Sequence, residues 1–435
     1  MRTFGFTTRR VGTAAMLAVI TTSLANAQLP NASTAAFAMG GNFTAMARGY
    51  EAVAWNPANL AMPGRPVFSF GAIIAGGNMG LAPIDFTTLH KFSGQVIDSA
   101  TRVSWIDQAK LAGGERVNAD LGATPIAFSI GPIGFQYGGS VFTNVNLSPD
   151  AWEAVLFGNA GNNGGQPKTL DFTGTSVRVG AFSAVALSYA HSIPINITNG
   201  ILSDEHAAIG VTAKYVMGHA LVVAQDDGST LGGSDILLRF PVILPDSNYN
   251  GTLGNGAAAD LSLAWSGGPW KVGVLAENVF NAFKWDTTVL AFAPGTGVFN
   301  SDSSSTNFNQ QAYASAPKAL RDIVAAQRFK PAINLGAALK LTNALTLTAD
   351  MKTTLGGDEA IVIGPKSRFG VGAEFRVLPF LPLRAGVASV TDGWQAGAGI
   401  GLRFLGFELG VASSIRRVGA AQESGVMIGV VGIGR

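Results

Sequence analysis

The sequence predicts an all-β fold: a transmembrane antiparallel up-and-down β-barrel of about 14 strands with an amino-terminal plug inside its lumen. Three observations predict this class. The chain begins with the pattern of an export signal and contains no cysteine, so we expect no disulfide to staple it. It is 47% hydrophobic and 13% charged, yet after residue 27 no window reaches the roughly 18 uninterrupted apolar residues of a membrane helix. Later segments instead alternate apolar and polar residues with the period of a β-strand.

The first element is a secretory signal peptide over residues 1–27. Residues 1–10 give it a basic start, residues 11–24 an uncharged core, and the Ala-Asn-Ala that ends at Ala27 supplies small residues for a signal peptidase. The core is too short to span a bilayer, so we expect cleavage, with a retained membrane anchor as the alternative. The mature chain then starts near Gln28 and is exported to the bacterial cell outer membrane.

The second element is an apolar segment, residues 28–64, which precedes a barrel domain of residues 65–435. Its phenylalanine, methionine and tryptophan side chains would form an aggregation-prone apolar surface if they were exposed to water. Packing the segment inside a barrel of about fourteen strands buries that surface and fills the lumen. A short helix is expected from Phe43 to Val53, ended by the restriction that a proline places on Asn56. We therefore predict that this segment is a hatch.

The third element is the barrel wall. In residues 368–376, for example, Phe, Val, Ala and Phe alternate with Arg, Gly, Gly, Glu and Arg. Turn residues bound about fourteen runs, an even number, as a single-chain bacterial barrel requires. The expected strands are 66–76, 121–131, 133–145, 175–192, 205–220, 257–267, 269–283, 327–341, 343–353, 367–376, 382–390, 393–403, 405–414 and 423–434.

The connections alternate in length. Residues 77–120, 146–174, 221–256 and 284–326 are long, whereas the intervening turns, such as "TNA" at 342–344, are short. Short periplasmic turns and long outer loops produce this alternation, with both termini in the periplasm. A soluble sandwich also has period-two strands, but it has no reason to keep the alternation of loop length. The sequence "PKALRDIVAAQRF" near the end of the last long connection has the pattern of a short amphipathic helix.

Charged residues within the strands are expected to face the lumen, because an arginine at mid-depth in lipid costs about 2–4 kcal/mol. The two glutamates of this group are expected to pair with the arginines. A selectivity or gating lining is one interpretation, and a structural network of ion pairs is the other. The predicted lumen charges are Arg368, Glu374, Arg376, Arg384, Arg403 and Glu408. Four of them are expected to anchor the hatch from the wall: Arg368, Glu374, Arg376 and Arg403.

The stretch "MGGNFTAMARGYEAVAWNPANLAM", followed by "GRPVFSFGA", resembles the amino-terminal hatch of the FadL/TodX long-chain fatty acid transporters and their PorV-like outer-membrane relatives. Asn56, Pro57 and Ala58 match the Asn-Pro-Ala of that pattern. The hairpins of the carboxyl half also resemble the closing strands of this family. The resemblance implies a barrel closed by a hatch, which passes hydrophobic molecules through the lumen to a lateral opening or to the periplasm.

The family's lateral opening lies at a kink in the third strand, and its counterpart here contains Gly138 and Gly139 within "GFQYGGSVF". Paired glycines weaken a strand ladder, although close side-chain packing explains such a pair equally well. This chain departs from the common pattern of outer-membrane barrels at its end, where "MIGVVGIGR" has no terminal aromatic residue. That departure bears on its recognition by the barrel assembly machinery.

We expect a passive outer-membrane transporter for hydrophobic small molecules of the long-chain fatty acid or hydrocarbon type, gated by the hatch. The alternative is a PorV-like scaffold or secretion-system component with no transport of its own. The expected partners are a fatty acid-like ligand, outer-membrane lipid and lipopolysaccharide, and the barrel assembly machinery. A net charge of +2 gives no case for nucleic acid, and no cofactor or metal is expected. The predicted hatch and gate residues are Phe43, Trp55, Asn56, Pro57 and Ala58.

An enzyme is the third class, and we expect the chain not to be one. The four histidines, at positions 90, 191, 206 and 219, are scattered and lie in no motif of a hydrolase or a zinc protease. The acidic pairs Asp226-Asp227 and Asp358-Glu359 lie in expected outer loops. There they are either solvated loop charge or ligands for Ca²⁺ and for the cations that bridge lipopolysaccharide.

Overall fold

The computed structural model describes residue 29 and residues 33–164, 166–195, 197–198, 201–233, 235–300, 304–355, 365–376, 378–418 and 421–432. The expected signal peptide and the pair Asp358-Glu359 lie outside the described residues. Within these ranges, no helix has the length and the apolar character needed to cross a bilayer.

Fourteen long strands of the described chain close into one antiparallel barrel. Each strand pairs with the next one along the chain, and the last pairs with the first, so the fold is the expected up-and-down barrel. The strands are β1 Phe68–Ala82, β2 Glu115–Ile130, β3 Ile133–Leu147, β4 Ser176–Ile193, β5 His206–Gln225, β6 Gly254–Gly267, β7 Trp270–Asn281, β8 Ala332–Lys340, β9 Leu345–Thr354, β10 Ser367–Phe375, β11 Leu383–Val390, β12 Gly393–Phe404, β13 Phe407–Val418 and β14 Ala421–Gly432.

Several early strands run farther than the alternating pattern indicated. The register of β1 with β2 continues to Ala82 opposite Arg116, well beyond the expected limits at residues 76 and 121. Backbone pairing needs no apolar side chains once a strand has left the hydrocarbon layer, so alternation marks only the part of the strand that lipid covers.

The outward faces form the apolar surface that lipid requires. In β10, Phe369, Val371 and Phe375 are exposed, whereas Gly370 and Glu374 are buried on the inward face. The same division runs along β11 to β13. A closed barrel with this outward face spans the outer membrane, which confirms the expected location.

The amino-terminal segment consists of short helices joined by turns. Helix α1 Thr34–Ala38 is capped by Ser33, whose Oγ accepts from Ala36 N at 3.1 Å. Helix α2 Ala52–Trp55 lies between the 3₁₀ turns Gly49–Glu51 and Pro57–Ala61.

The expected helix from Phe43 to Val53 is wrong. Gly49 has φ +57, in the left-handed region that ends a right-handed helix. The backbone N–H groups of Phe43 and Thr44 are bound by a carboxylate of the wall, so they are held in a turn.

The long connections fold over one end of the barrel. They contain helices α3 Phe86–Lys91, α4 Ser99–Ala112, α5 Pro149–Phe157 and α6 Lys318–Ala326. Helix α6 buries Leu320 and Val324, as the amphipathic pattern predicted. Five short strands form a separate sheet in these connections: Thr169–Asp171, Thr230–Gly232, Asp235–Arg239, Thr296–Phe299 and Ser304–Asn307. The opposite end has the tight turns at 131–132, 268–269, 341–344 and 405–406, and we call it the short-turn end.

Candidate functional site

The five predicted hatch residues lie together against the inward face of the wall. The rings of Phe43 and Trp55 meet edge to face with centroids 5.9 Å apart. Asn56 Nδ2 donates to Leu263 O at 3.0 Å, and its Oδ1 accepts from Ala58 N at 3.1 Å. Because Pro57 occupies the first position of the following 3₁₀ turn, Asn56 caps that turn and fastens it to β6 with one side chain.

Polar wall residues outside the predicted set bind the backbone of the amino-terminal segment. Asp350 Oδ2 accepts from Phe43 N at 3.0 Å and from Thr44 N at 2.8 Å. Thr348 donates its hydroxyl to Asn42 O at 2.9 Å, and Ser262 accepts from Ala58 N at 2.9 Å. The alternation of β9 places Thr348 and Asp350 on the inward face, and this much could be predicted from the sequence. The alternation does not indicate which residues of the amino-terminal segment these side chains bind.

Inward-facing glycines give the segment its room. A Cβ built on Gly397 would lie 2.7 Å from the carbonyl oxygens of both Phe37 and Ala38, and one on Gly372 would lie 3.1 Å from Met39 Cβ. Seven such glycines on β8 and β10 to β13 face residues 34–45: Gly336, Gly370, Gly372, Gly386, Gly397, Gly399 and Gly410. The high glycine content of these strands therefore serves contact with the segment as well as strand packing.

Arg368 is separate from the other predicted lumen charges. Its Nη2 donates to Gly41 O at 2.7 Å, and its guanidinium carbon lies 5.9 Å from the ring centroid of Trp55. It therefore contacts the amino-terminal segment directly, rather than either predicted glutamate.

The remaining five lumen charges form one network at the short-turn end. Glu374 binds Arg376 at 2.6 Å and Arg384 at 2.8 Å. Glu408 binds Arg384 at 2.6 Å and Arg403 at 2.7 Å. The central guanidinium of Arg384 is buried between two carboxylates, so each charge of the network has a partner.

An aromatic cluster fills the lumen side near β4, toward the long connections. Phe182 is fully buried, and its ring centroid lies 5.0 Å from Phe329, 5.2 Å from Trp285 and 5.6 Å from Phe283. The last three residues belong to the connection between β7 and β8, which folds inward. Leu29 and Val53 of the amino-terminal segment join the same apolar cluster. No sequence pattern had singled out Phe182.

A cavity of about 170 Å³ lies beside Trp55 and Arg368, and its walls are partly apolar and partly charged. Lys214 Nζ lies 2.6 Å from Asp260, Lys352 Nζ 3.0 Å from Glu277, and Arg416 Nη2 2.8 Å from Asp120. This volume holds a few water molecules, whereas sites for drug-sized molecules have about 300–1,000 Å³. A long apolar molecule therefore fits this cavity only if the surrounding side chains rearrange.

Gly138 and Gly139 of β3 keep their pairing with Ala184 and Ser183 of β4. On the other side of β3, the register with β2 shifts between Ala123 and Ile126, next to Pro125. Proline has no N–H to donate, so this level of the wall has fewer ladder bonds.

The irregularity continues into β1. Ile73, beside Pro125 in the register of β1 with β2, has φ +54. The pairing of β1 with β14 shifts between Ala72 and Ala75. A lateral opening at Gly138-Gly139 stays a prediction. The weakened hydrogen-bond ladder at Pro125 of β2 lies beside that position.

One histidine has a hydroxyl partner. His219 Nε2 lies 2.7 Å from Ser183 Oγ, at a bulge between β4 and β5. Ser183 is fully buried beside the aromatic cluster. Asp226 Oδ2 accepts from Gly228 N and Ser229 N at 3.0 Å each, which is the role of a turn residue. No group of three metal-ligating side chains occurs in the described part of the chain.

No family model matches the chain, and no curated protein matches it. Several solved structures match it. The chain is similar to the CymD monoaromatic hydrocarbon channel, at 11% identity over 93% of this chain and 97% of the other, with a TM-score of 0.48. It is similar to the Pseudomonas putida toluene transporter TodX, at 12% identity over 94% and 98%, with a TM-score of 0.44. It is similar to a Pseudomonas aeruginosa FadL homologue, at 11% identity over 94% and 99%, with a TM-score of 0.44. The solved structures similar to this chain thus include TodX and a FadL homologue, the proteins that name the family its amino-terminal motif resembles.

Proposed function

We propose that the protein is a passive outer-membrane transporter for hydrophobic small molecules of the long-chain fatty acid or hydrocarbon type. The observation that carries this proposal is the aromatic cluster inside the barrel. A lumen in contact with water favours polar inward faces, yet Phe182, Phe283, Trp285 and Phe329 place contiguous apolar surface there. Apolar surface of this kind is where a hydrophobic molecule partitions from water.

We further propose that the amino-terminal segment is the gate. Leu29 and Val53 lie in the aromatic cluster, and Trp55 and Arg368 line the adjacent cavity, so movement of the segment enlarges the space beside the cluster. Release then follows toward the short-turn end or through the weakened wall near Gly138-Gly139. Ligand binding drives such movement only if the ligand binds the open arrangement more tightly.

The gate is tested by Asn56→Ala, which removes the bond to Leu263 O and the cap of the 3₁₀ turn. We expect a loss of about 1–2 kcal/mol in docking of the segment, and therefore a several-fold change in uptake of a fluorescent fatty acid into proteoliposomes. Asn163→Ala is the matched control, because Asn163 Nδ2 also donates to backbone carbonyls but lies in an exposed connection. Equal uptake by both variants and the wild type contradicts gating by the segment.

A PorV-like scaffold is the second candidate, and the small volume of the cavity beside Trp55 and Arg368 favours it. A scaffold needs no continuous apolar path, and about 170 Å³ between ion pairs does not provide one. Mass spectrometry of the barrel purified in detergent separates the two candidates. Bound fatty acid or hydrocarbon supports transport, whereas a stoichiometric co-purifying protein without such a ligand supports the scaffold.

A further inference from the structure

A second cavity, of about 400 Å³, lies at the short-turn end beneath the amino-terminal segment. Phe43 and Met46 give it an apolar side. Its charged side contains Arg48, Arg65, Arg376, Arg384, Arg403, Glu51, Glu374 and Glu408. The volume falls within the range of small-molecule sites, and the lining is amphipathic.

The carboxylates of this cavity are already engaged. Glu374 and Glu408 are shared among Arg376, Arg384 and Arg403 in the network described above. Glu51 Oε1 accepts from Ser33 Oγ at 2.5 Å. Five guanidinium groups thus face three carboxylates in this lining. The cavity therefore carries an excess of positive charge.

Arg48 and Arg65 supply that excess. Arg48 Nη1 donates to Ala47 O at 2.7 Å, and Arg65 Nη1 donates to Leu60 O at 2.7 Å. Within the described ranges, neither guanidinium has an ion pair with a carboxylate. A guanidinium has five N–H donors, and a neutral carbonyl does not compensate its charge.

We propose that this cavity binds the anionic head group of a single-chain amphiphile, with Arg48 and Arg65 as its ligands and with Phe43 and Met46 against the first part of the chain. Guanidinium groups bind carboxylate and phosphate through paired N–H donors, so the shared chemistry is an anionic oxygen group on an apolar chain. The inference rests on the proposed function, because such a molecule reaches this cavity after it passes the amino-terminal segment. It narrows the transported class, given above as long-chain fatty acids or hydrocarbons, to acidic amphiphiles.

The test is binding of dodecanoate, dodecyl phosphate and dodecanol to the full barrel in nanodiscs at pH 8. We expect whichever of dodecanoate and dodecyl phosphate binds more tightly to bind at least about tenfold more tightly than dodecanol. Arg65→Gln and Arg48→Gln are each expected to reduce this preference for the anion about fivefold. Arg65 is exposed, so its variant keeps the fold even where Arg48→Gln loosens the segment. Arg328→Gln is the matched control, because Arg328 also donates to a backbone carbonyl, Ala325 O at 3.0 Å, but lies at the long-connection end.

Equal binding of the anions and dodecanol, or a preference that persists in the double variant of Arg48 and Arg65, overturns the site. Tighter binding of dodecanoate assigns the site to fatty acid-like molecules, and tighter binding of dodecyl phosphate assigns it to phosphorylated lipids. Dodecanol and dodecanoate uptake into vesicles, measured on the same preparations, separates this inference from the proposed function. Uptake without anion preference overturns only the anion site, whereas absence of all uptake overturns transport itself.

Discussion

Substitution of Gly397 by valine tests whether wall glycines hold the amino-terminal segment in place. A Cβ at this position would lie 2.7 Å from the carbonyl oxygens of Phe37 and Ala38, whereas ordinary contacts begin at 3.4 Å. The obstructing atoms are backbone, so the segment itself has to move by several tenths of an ångström. Overpacking of this kind costs about 1–3 kcal/mol, which shifts the ratio of docked to undocked segment by roughly five- to 150-fold.

The barrel itself is expected to assemble normally, because valine is favoured in strands and the ladder of β12 is unchanged. Single barrels in planar bilayers report the result as the fraction of time spent in a conducting state. Ala398→Val is the matched control, since Ala398 is the next residue of β12 and is exposed on the outward face. An open fraction for Gly397→Val that equals the value for Ala398→Val, with both proteins folded, refutes the reasoning.

Three further predictions follow from the contacts of the segment and the lumen. Asp350→Ala leaves the backbone N–H groups of Phe43 and Thr44 without their acceptor, so it should weaken docking by about 2–3 kcal/mol and speed protease cleavage of the segment; unchanged cleavage contradicts this. Burial raises the pKa of Glu51 from 4.5 to about 7, so the folded state binds this proton more tightly than the unfolded state does. The free energy of unfolding should therefore fall by on the order of 2 kcal/mol as the pH rises from about 4.5 to about 7. Glu51→Gln should remove this part of the pH dependence, measured by thermal unfolding. An identical pH dependence in the variant contradicts the assignment to Glu51. Phe182→Ala removes the central ring of the aromatic cluster and should lower the free energy of unfolding by about 3–5 kcal/mol. It should reduce fatty acid uptake while unfolding of the barrel stays cooperative. Full uptake by a folded variant contradicts a role of the cluster in binding.

The strands and their lipid-facing rows were predictable because alternation is local. Phe369 and Val371 face lipid because successive side chains of a strand point to opposite faces, so residues two apart share one face. Contacts with distant parts of the chain do not change this direction. The inward direction of Arg384 and Glu408 followed for the same reason, together with the cost of a charge in lipid. The sequence predicted that these arginines and glutamates would pair, because opposite charges on the same face of neighbouring strands meet. It did not predict which arginine pairs with which glutamate.

The contacts of the amino-terminal segment were not predictable. Asp350 binds Phe43 N and Thr44 N across more than 300 positions of chain, and nothing near either end of that bond indicates the other. The same bond, with Gly49 in the left-handed region, explains why residues 43–53 do not form the expected helix. Arg368 was expected both to anchor the hatch from the wall and to pair with a glutamate. It lies against Gly41 and Trp55 of the amino-terminal segment, and not against either predicted glutamate.

The sequence by itself determined that the chain is an outer-membrane barrel, which residues face lipid, and that an apolar segment precedes the wall, since all of these depend on spacing and composition along the chain. Only the tertiary structure decided which wall residues meet that segment, where aromatic rings collect in the lumen, and which arginines of the described ranges pair with a carboxylate. Closing the barrel brings into contact residues that are hundreds of positions apart, and the register that sets those contacts is a property of the whole sheet rather than of any one strand.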